Sequence, residues 1–542
     1  MRTLLIGLDA ACSRVLDPLA AAGEIPRIAA IREAGVAAPL ASQIPPWTAS
    51  AWPTLYTGTN PGKHGVFDFL AFDGYDWDVV TASDVRTPAL WEILTDHGLS
   101  SVVVNVPVTA PPPEIDGAVV PGYTAPEGPA CHPDGLLDEI EAAIGGYRVY
   151  PRTGAESTDE RVEGYREVIR MRGDATSYLV DRYDPAFCFV QFQVTDTVFH
   201  ECAGASEAVR AVYRAVDEQV GRLYDRCAPE TVVVASDHGM GPYEREEFRV
   251  NEFLRRRGYV ATRRGGLDGM PSWGTLRERL VDASGTDAER PVPRSARLMR
   301  AAASVGVTSQ RLEALLDRLG LTELALRVIP RDAIRAGTDQ VDFARSTAYM
   351  RSRIECGVRL NVEGREPAGV VPEGGYEAVR RELIDELAAV RTPDGSPVFD
   401  EVGPREAYFE GPAVGRAVDV VTVPAGFEQF LSARLGGGEF APPSEPWNHT
   451  LEGTVAIAGE GIEPGWSLEG ARLVDVAPTV LALCGVARTD AMDGEVLPVV
   501  DPVGTEAYDG DWHERRPAGS VRNGSSRDVE RRLSDLGYLE DR

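Results

Sequence analysis

One proline-bounded stretch organises the chain: Pro46-Trp47-Thr48-Ala49-Ser50-Ala51-Trp52-Pro53-Thr54-Leu55-Tyr56-Thr57-Gly58. It predicts a loop that delivers Thr48 to the start of a short helix, which ends at Gly58. A hydroxyl at a helix N-terminus lies in a positive field beside free backbone N–H groups, which suits an alkoxide nucleophile and a bound phosphate. The alternative is that Thr48 is only an N-cap, and this stretch alone leaves both interpretations open.

Composition and charge limit the classes of partner. The chain has 542 residues, of which 43% are hydrophobic and 26% charged, as is typical of a soluble globular protein. This length predicts about two to four domains, or one large α/β domain with insertions. The net charge of −29 disfavours nucleic-acid polymers and anionic membranes as partners. A polyanionic substrate would need local cations, and bound metal ions are one source of them.

The cysteines and the apolar segments bear on the compartment. Seven cysteines are scattered without a Cys-x-x-Cys pair, which indicates reduced thiols. The run from Met1 to Asp9 is too short for a signal peptide and predicts a strand. Apolar runs of about 18 residues are absent from the sequence, so we expect no membrane span. We therefore expect a cytoplasmic enzyme, and the sequence does not indicate its oligomeric state.

Apolar runs that fit strands alternate with segments of helical periodicity. Strands are predicted at 3–8, 101–105, 186–192, 231–236 and 453–458. Helical segments are predicted from 14 to 37, with interruptions near Pro18 and Pro26, and helices at 89–94, 159–183, 207–226 and 376–387. Such alternation predicts an α/β fold, in which helices flank a doubly wound, mostly parallel sheet. Ligands bind such sheets outside the carboxyl ends of the strands.

The sequence also predicts how the chain divides. Residues 1–265 and 345–505 carry the alternating pattern and form the predicted catalytic core. Residues 266–344 are rich in arginine, alanine and leucine with few strand signals, which predicts an inserted helical cap. Residues 506–542 form a polar C-terminal tail with a short helical stretch at 529–536.

Three carboxylates and three imidazoles stand out as candidate metal ligands: Asp9, Asp196, His200, Asp237, His238 and His449. Asp9 and the Asp237-His238 pair each follow a predicted strand, and His449 shortly precedes one. Asp196 and His200 are four residues apart, so one helical turn puts both on one face. Singly, each residue also fits a turn or a structural role. Together they divide into two sites of mixed nitrogen and oxygen ligation, which suit zinc or manganese, with Thr48 as the nucleophile.

The order of these residues resembles that of the alkaline phosphatase superfamily. The resemblance rests on Asp9, Thr48 within TxxxxPxxxTGxxPxxHG, Asp196-x-x-x-His200, Asp237-His238-Gly239 and His449. Within the superfamily, the chain is most similar to the type I phosphodiesterase/nucleotide pyrophosphatase group. The segment from Val474 to Thr479 also resembles the closing helix of that group. The resemblance implies an alkaline-phosphatase-like fold for the catalytic core.

The resemblance also implies roles for the candidate residues. Asp196, His200 and His449 would hold one divalent ion, and Asp9, Asp237, His238 and Thr48 would hold the other, with zinc favoured over manganese. Thr48 would attack phosphorus in line and form a phospho-threonine, which water activated by the first metal would hydrolyse. His64 would be structural and would fix the loop behind the nucleophile.

One position departs from the pattern of the group. Relatives that cleave nucleotide diesters often carry an asparagine five residues after the histidine that corresponds to His64. In this chain that position is Phe69, and Asp68 precedes it. The backbone N–H after Thr48 is the candidate replacement for the lost contact to the phosphoryl oxygen.

The resulting hypothesis is a two-metal hydrolase of small phosphate esters, in the first place a phosphodiesterase/nucleotide pyrophosphatase, with a nucleotide as one candidate substrate. The alternatives on the same site are a phosphomonoesterase, a phosphonate hydrolase or a phosphotransferase. A metal-bound pseudoenzyme or binding protein is the non-enzymatic alternative.

Overall fold

The computed structural model describes residues 1–152, 155, 157–202, 204, 206–264 and 339–517. Most of the predicted cap at 266–344 and the predicted helix at 529–536 lie outside these residues. Within 339–344 the chain forms a short strand, Asp339–Val341, paired with Thr262–Arg264. The predicted division into core, cap and tail stays a prediction.

The α-helices of the described residues are α1 Ser13–Ala21, α2 Pro26–Ala34, α3 Thr48–Thr57, α4 Pro61–His64, α5 Leu90–Asp96, α6 Leu136–Ile144, α7 Thr158–Tyr183, α8 Val194–Cys202, α9 Ser206–Cys227, α10 Val250–Arg257, α11 Tyr376–Ala388, α12 Val476–Leu483 and α13 Trp512–Arg515. The strands are β1 Thr3–Leu8, β2 Val36–Ala41, β3 Leu70–Asp73, β4 Asp76–Val79, β5 Ser101–Val104, β6 Gly117–Val120, β7 Phe187–Phe192, β8 Thr231–Ala235, β9 Gly239–Pro242, β10 Glu247–Arg249, β11 Thr262–Arg264, β12 Asp339–Val341, β13 Ala348–Tyr349, β14 Gly357–Leu360, β15 Phe399–Pro404, β16 Val420–Pro424, β17 Leu431–Ser432, β18 Phe440–Ala441, β19 Trp447–Thr450, β20 Glu452–Gly459, β21 Arg488–Thr489 and β22 Thr505–Glu506.

The central sheet has seven strands in the order β2-β20-β8-β1-β7-β5-β6. The pairs from β8 through β1, β7 and β5 to β6 are all parallel, and β20 runs antiparallel to both of its neighbours. Every residue of β1, β7 and β8 is buried, as expected of strands covered by helices on both faces. The predicted α/β fold with a mostly parallel sheet is confirmed.

Helices cover the sheet through apolar stripes, and a second core lies beside it. In α9, Val212, Val216 and Val220 recur every fourth residue and are fully buried, so one face of this helix points inward. The second core contains Phe248 and Leu383 and is built around the four-stranded sheet β13-β14-β16-β15 with α11.

The predicted helical segments at 14–37 are interrupted before Pro26, as expected, but Pro18 lies inside α1, and the prediction is wrong in its last part. The helices end at Ala34, and β2 begins at Val36. A Cβ on Gly35 would lie 2.0 Å from the carbonyl oxygen of Ile457, so the close approach of β20 demands glycine here. Among the described residues, every helix is too short or too polar to cross a membrane.

Candidate active site

Thr48 is the first residue of α3, and the residue in the N-cap position is Trp47. The interpretation of Thr48 as only an N-cap is therefore wrong. The helix ends, as predicted, at Gly58, which has a φ of +67°. Oγ1 of Thr48 is buried and lies 3.4 Å from Oδ1 of Asp9 and 3.4 Å from Nε2 of His238. The hydroxyl thus faces two of the predicted ligands from a helix N-terminus.

A first group of candidate ligands comprises Asp9, Asp237 and His238. Asp9 follows β1 and the other two follow β8, and these parallel strands are neighbours, so their carboxyl ends meet. Nε2 of His238 lies 3.3 Å from Oδ1 of Asp9 and 3.3 Å from Oδ2 of Asp237. All three side chains are fully buried.

A second group comprises Asp196, His200 and His449. The first two lie one turn apart on α8, as predicted. Oδ1 of Asp196 is 3.2 Å from Nε2 of His200 and 3.3 Å from Nε2 of His449, and the two imidazole nitrogens are 3.2 Å apart. Three ligand atoms therefore converge on one point.

The two groups are adjacent. His449 lies in its own short strand, β19, which pairs with β9 directly after Asp237 and His238. This pairing stacks the ring of His449 on that of His238, with centroids 3.8 Å apart and planes 17° apart. Nδ1 of His449 is 3.0 Å from the carbonyl oxygen of Pro46, two residues before the candidate nucleophile. The structure thus brings all six candidate ligands and Thr48 together.

The electrostatics of the carboxylates favour a bound cation. Burial raises the pKa of Asp9 and of Asp237, and their mutual repulsion raises it further for Asp237. Burial also opposes ionisation of Asp196, but His200 and His449 outweigh it and lower its pKa. Oδ2 of Asp237 is buried and accepts no hydrogen bond from the residues that the structure describes. Because buried charges need a partner, this donor set fits two divalent ions of the kind that mixed nitrogen and oxygen ligands bind.

The pKa values of His238 and His449 are shifted in opposite directions. Burial lowers the pKa of His238, but Asp237 and Asp9 outweigh it and raise the value to about 10. Burial and the neighbouring His238 lower the pKa of His449 to about 3. Such opposed pKa shifts of two neighbouring histidines are characteristic of functional sites.

Two residues that the sequence analysis missed orient Asp9. Trp52 Nε1 donates to Oδ2 of Asp9 at 3.0 Å, and Gln191 Nε2 donates to the same oxygen at 2.8 Å. Asn105 Nδ2 donates to Oε1 of Gln191 at 2.9 Å and fixes its amide. Oδ1 of Asp9 is thereby left facing Thr48. The one sequence signal was a glutamine inside the otherwise apolar strand β7.

His64 lies behind the nucleophile helix, where its ring contacts the helix and the loop that follows it. Its Nε2 is 2.8 Å from Oγ1 of Thr54, and its Nδ1 accepts from the N–H of Val66 at 3.3 Å. The ring is fully buried, and burial lowers its pKa to about 3. A neutral histidine therefore ties α3 to the loop that follows it.

Phe69, which replaces the asparagine of many relatives, is part of the hydrophobic core. The Phe69 ring is fully buried and packs edge-on against Tyr123, with centroids 5.8 Å apart. Asp68 is also buried, and its Oδ1 accepts from the N–H of Leu70 at 3.0 Å. Burial, with a contribution from Glu355, raises the pKa of Asp68 to about 7.

Comparison with solved structures supports this fold. The phosphonoacetate hydrolase of Sinorhizobium meliloti 1021, in complex with phosphonoacetate, is 16% identical and has a TM-score of 0.52, over 88% of this chain and 93% of that one. The wild-type alkaline phosphatase PafA is 14% identical, with a TM-score of 0.51 over 92% and 98%. No curated protein sequence matches the chain significantly.

Comparison with family models is more direct. The model of the type I phosphodiesterase/nucleotide pyrophosphatase family matches residues 3–432. This range contains Thr48 and every candidate metal ligand except His449. The resemblance found in the sequence is thus confirmed: the chain belongs to the type I phosphodiesterase/nucleotide pyrophosphatase family and is a metal-dependent phosphoric ester hydrolase.

Proposed function

We propose that the chain is a two-metal phosphodiesterase/nucleotide pyrophosphatase that works through a phospho-threonine at Thr48. The observation that carries the proposal is the position of the Thr48 hydroxyl, 3.4 Å from both Asp9 Oδ1 and His238 Nε2 at the N-terminus of α3. A hydroxyl in this position, beside two groups of metal ligands, supports a role for Thr48 as the nucleophile of the first step of ester hydrolysis.

The ligand groups would hold two divalent ions, with zinc as the first choice and manganese as the second. Asp9, Asp237 and His238 would hold one ion beside Thr48, and the group Asp196, His200 and His449 would hold the other. Such ions supply Lewis acidity, which lowers the pKa of a bound hydroxyl or water and offsets negative charge on a phosphoryl group.

In the first step, Oγ1 of Thr48 forms a bond to phosphorus, and the bond from phosphorus to the leaving alkoxide breaks. The hydroxyl proton of Thr48 passes to solvent, and the leaving group takes up a proton from solvent. In the second step, a water oxygen attacks phosphorus on the side of Asp196 and His449. The bond from Oγ1 to phosphorus then breaks, and the proton that the water loses is taken up by the Oγ1 of Thr48.

A backbone N–H is our candidate to replace the asparagine that contacts a phosphoryl oxygen in relatives, because Phe69 has no polar side-chain group to do so. Ser50 and Ala51 both donate their N–H groups to the carbonyl oxygen of Trp47, at 2.8 and 2.9 Å. The N–H of Ala49 lies in the first turn of α3, where the helix supplies no carbonyl acceptor. We expect it to donate to a non-bridging phosphoryl oxygen.

Two finer points belong to the same proposal. We expect a nucleotide diester or pyrophosphate as substrate, which the description of the matching family supports. We also expect the cytoplasm as compartment, because all seven cysteines are buried and unpaired.

The first experiment compares hydrolysis of bis-p-nitrophenyl phosphate with that of p-nitrophenyl phosphate on metal-loaded protein. Thr48→Ala should lower kcat/KM by about a thousandfold or more with both ions retained. Thr48→Ser should retain turnover. Mass spectrometry of acid-quenched wild type should locate a phosphoryl group on Thr48.

Thr57→Ala is the matched control, because Thr57 lies in the same helix and its hydroxyl donates to the carbonyl oxygen of Pro53 at 2.6 Å, away from the ligands. It should keep wild-type turnover. Undiminished activity of Thr48→Ala would refute the nucleophile. A preference for the monoester would move the assignment to a phosphatase, and inactivity on every phosphoester despite two bound ions would favour a pseudoenzyme.

A further inference from the structure

A carboxylate lies behind one of the candidate metal ligands. Nε2 of His200 faces Asp196 and His449, whereas its other nitrogen, Nδ1, lies 3.8 Å from Oε2 of Glu445. This separation is within ion-pair range and somewhat longer than a hydrogen bond. The imidazole thus stands between the point where the ligand atoms converge and a second carboxylate.

Glu445 is held in this place from two sides. Arg353 Nη2 donates to its Oε1 at 2.9 Å, and Asn448 Nδ2 donates to its Oε2 at 2.7 Å. The side chain of Arg353 is only 4% exposed, and its guanidinium lies 4.6 Å from the ring centroid of Phe430. Because these partners are buried, the carboxylate has a defined position although it is itself 20% exposed.

Asn448 also anchors another candidate ligand, its neighbour His449 in β19. Oδ1 of Asn448 accepts the backbone N–H of His449 at 2.8 Å, while its amide nitrogen donates to Glu445. One asparagine therefore couples the backbone that carries His449 to the carboxylate that faces His200. A displacement of Glu445 would therefore disturb the positions of two candidate ligands, His200 and His449.

We propose that Glu445 is a positioning residue that accepts the Nδ1–H of His200 when Nε2 of that ring is bound to a divalent cation. Metal-binding histidines donate their second ring N–H to such an acceptor, which fixes the tautomer and the ring orientation. Arg353 and Asn448 set the position of the acceptor. The inference rests on the proposed function only in so far as the group Asp196, His200 and His449 binds a metal ion.

The test is metal binding by the full-length, metal-free protein. Zn²⁺ affinity is measured by competition with a chromophoric chelator, and Co²⁺ is followed by its visible absorption. Glu445→Ala should weaken one of the two sites by about 10- to 100-fold and shift the Co²⁺ bands of that site alone. Glu445→Gln keeps an acceptor oxygen in the same place and should recover part of the affinity.

Glu366→Gln is the matched control. Glu366 is a buried carboxylate that pairs with Arg359 and Arg365, at 2.8 and 3.0 Å, and no histidine of the described residues pairs with it. It should leave both metal affinities unchanged. The inference is overturned if both Glu445 variants bind metal like wild type, or if Glu366→Gln weakens the same site equally. The proposed function fails separately, by absent metal uptake in wild type or by turnover in Thr48→Ala.

Discussion

The indole of Trp52 donates a hydrogen bond to Oδ2 of Asp9 at 3.0 Å, across 43 positions of sequence. Trp52 lies one helical turn after Thr48 on α3. The nucleophile helix therefore carries both the attacking hydroxyl and a group that orients a ligand beside it. A shift of α3 would move both at once.

The Trp52 contact predicts an effect on metal binding. Trp52→Phe removes the donor while keeping an aromatic ring, and it leaves Gln191 as the remaining donor to Oδ2 of Asp9. We expect the affinity of the Asp9 site for Zn²⁺ to fall by about 10- to 100-fold. Chelator competition measures it.

Trp91→Phe is the control for that variant. Trp91 is also buried, but its Nε1 has no hydrogen-bond partner within the described part of the chain. Its replacement should therefore cost packing without affecting metal binding. Equal losses of affinity in the two variants would show that packing, and not the hydrogen bond, positions Asp9.

Metal removal should destabilise the fold. Without cations, Asp9 and Asp237 face each other in a buried site, and burial and repulsion raise the pKa of Asp237. An ion present at about a thousand times its dissociation constant adds about 4 kcal/mol to the free energy of unfolding. Chelation should therefore lower the unfolding temperature of wild type, as calorimetry would measure.

Asp237→Asn removes the repulsion and one ligand together. Its unfolding temperature should respond less to chelation, and its metal-free form should be at least as stable as metal-free wild type. Asp419→Asn is the contrast, because Asp419 is held by Arg365 at 2.7 Å and by Arg405 at 2.9 Å. That variant should lose stability with or without metal. If chelation lowered the unfolding temperature of Asp237→Asn as much as that of wild type, the proposed cation site at Asp237 would be contradicted.

His64 predicts a loss of stability in acid. Burial lowers its folded-state pKa to about 3, whereas an unfolded histidine titrates near 6.5. The unfolded chain thus binds a proton first as pH falls below 6.5, so the contribution of neutral His64 is lost progressively towards pH 3. At pH 5 the loss is about 2 kcal/mol.

Urea denaturation of His64→Gln and wild type between pH 5 and 8.5 checks this. The variant should show a shallower fall in unfolding free energy below pH 6.5. Above pH 7.5 histidine is neutral in both states, so the two curves should run parallel there and provide the internal control. Parallel curves over the whole range would mean that His64 titrates normally.

Asp68 predicts the opposite dependence. Burial, with Glu355, raises its folded-state pKa to about 7, above the unfolded value near 3.9. The folded chain therefore binds the proton more tightly, and stability falls as pH rises towards 7. Asp68→Asn should gain about 3 kcal/mol relative to wild type between pH 5 and pH 8.

The amide of that variant can still accept from the N–H of Leu70, so the local turn should persist. Denaturant unfolding at the two pH values measures the gain. A constant difference between variant and wild type would show that Asp68 is already ionised at pH 5 in the folded protein.

The central features of the site were predictable because they follow strands. Apolar runs ending in Asp9 and in Asp237 mark neighbouring strands of a parallel sheet, and their carboxyl ends meet. The spacing of Asp196 and His200 needed only helical periodicity. Each of these patterns is local in sequence, so it can be recognised without knowledge of the fold.

The supporting contacts were not predictable in this way. Trp52 and Gln191 reach Asp9 across 43 and 182 positions, and Arg353 reaches Glu445 across 92. Hydrogen bonds between such distant residues impose no periodicity on either segment. The strand β2 was missed for a related reason, since its pairing partner β20 lies more than 400 residues later.

The place of β20 in the central sheet has a consequence for biosynthesis. β20 lies between β2 and β8, and β19 directly before it carries His449. During translation, β2 and β8 are complete long before their shared neighbour leaves the ribosome, so both have an unpaired edge in the meantime. The central sheet therefore cannot be completed until β20, which ends at Gly459, has been synthesised. His449, the last candidate ligand, is added in the same few seconds of synthesis.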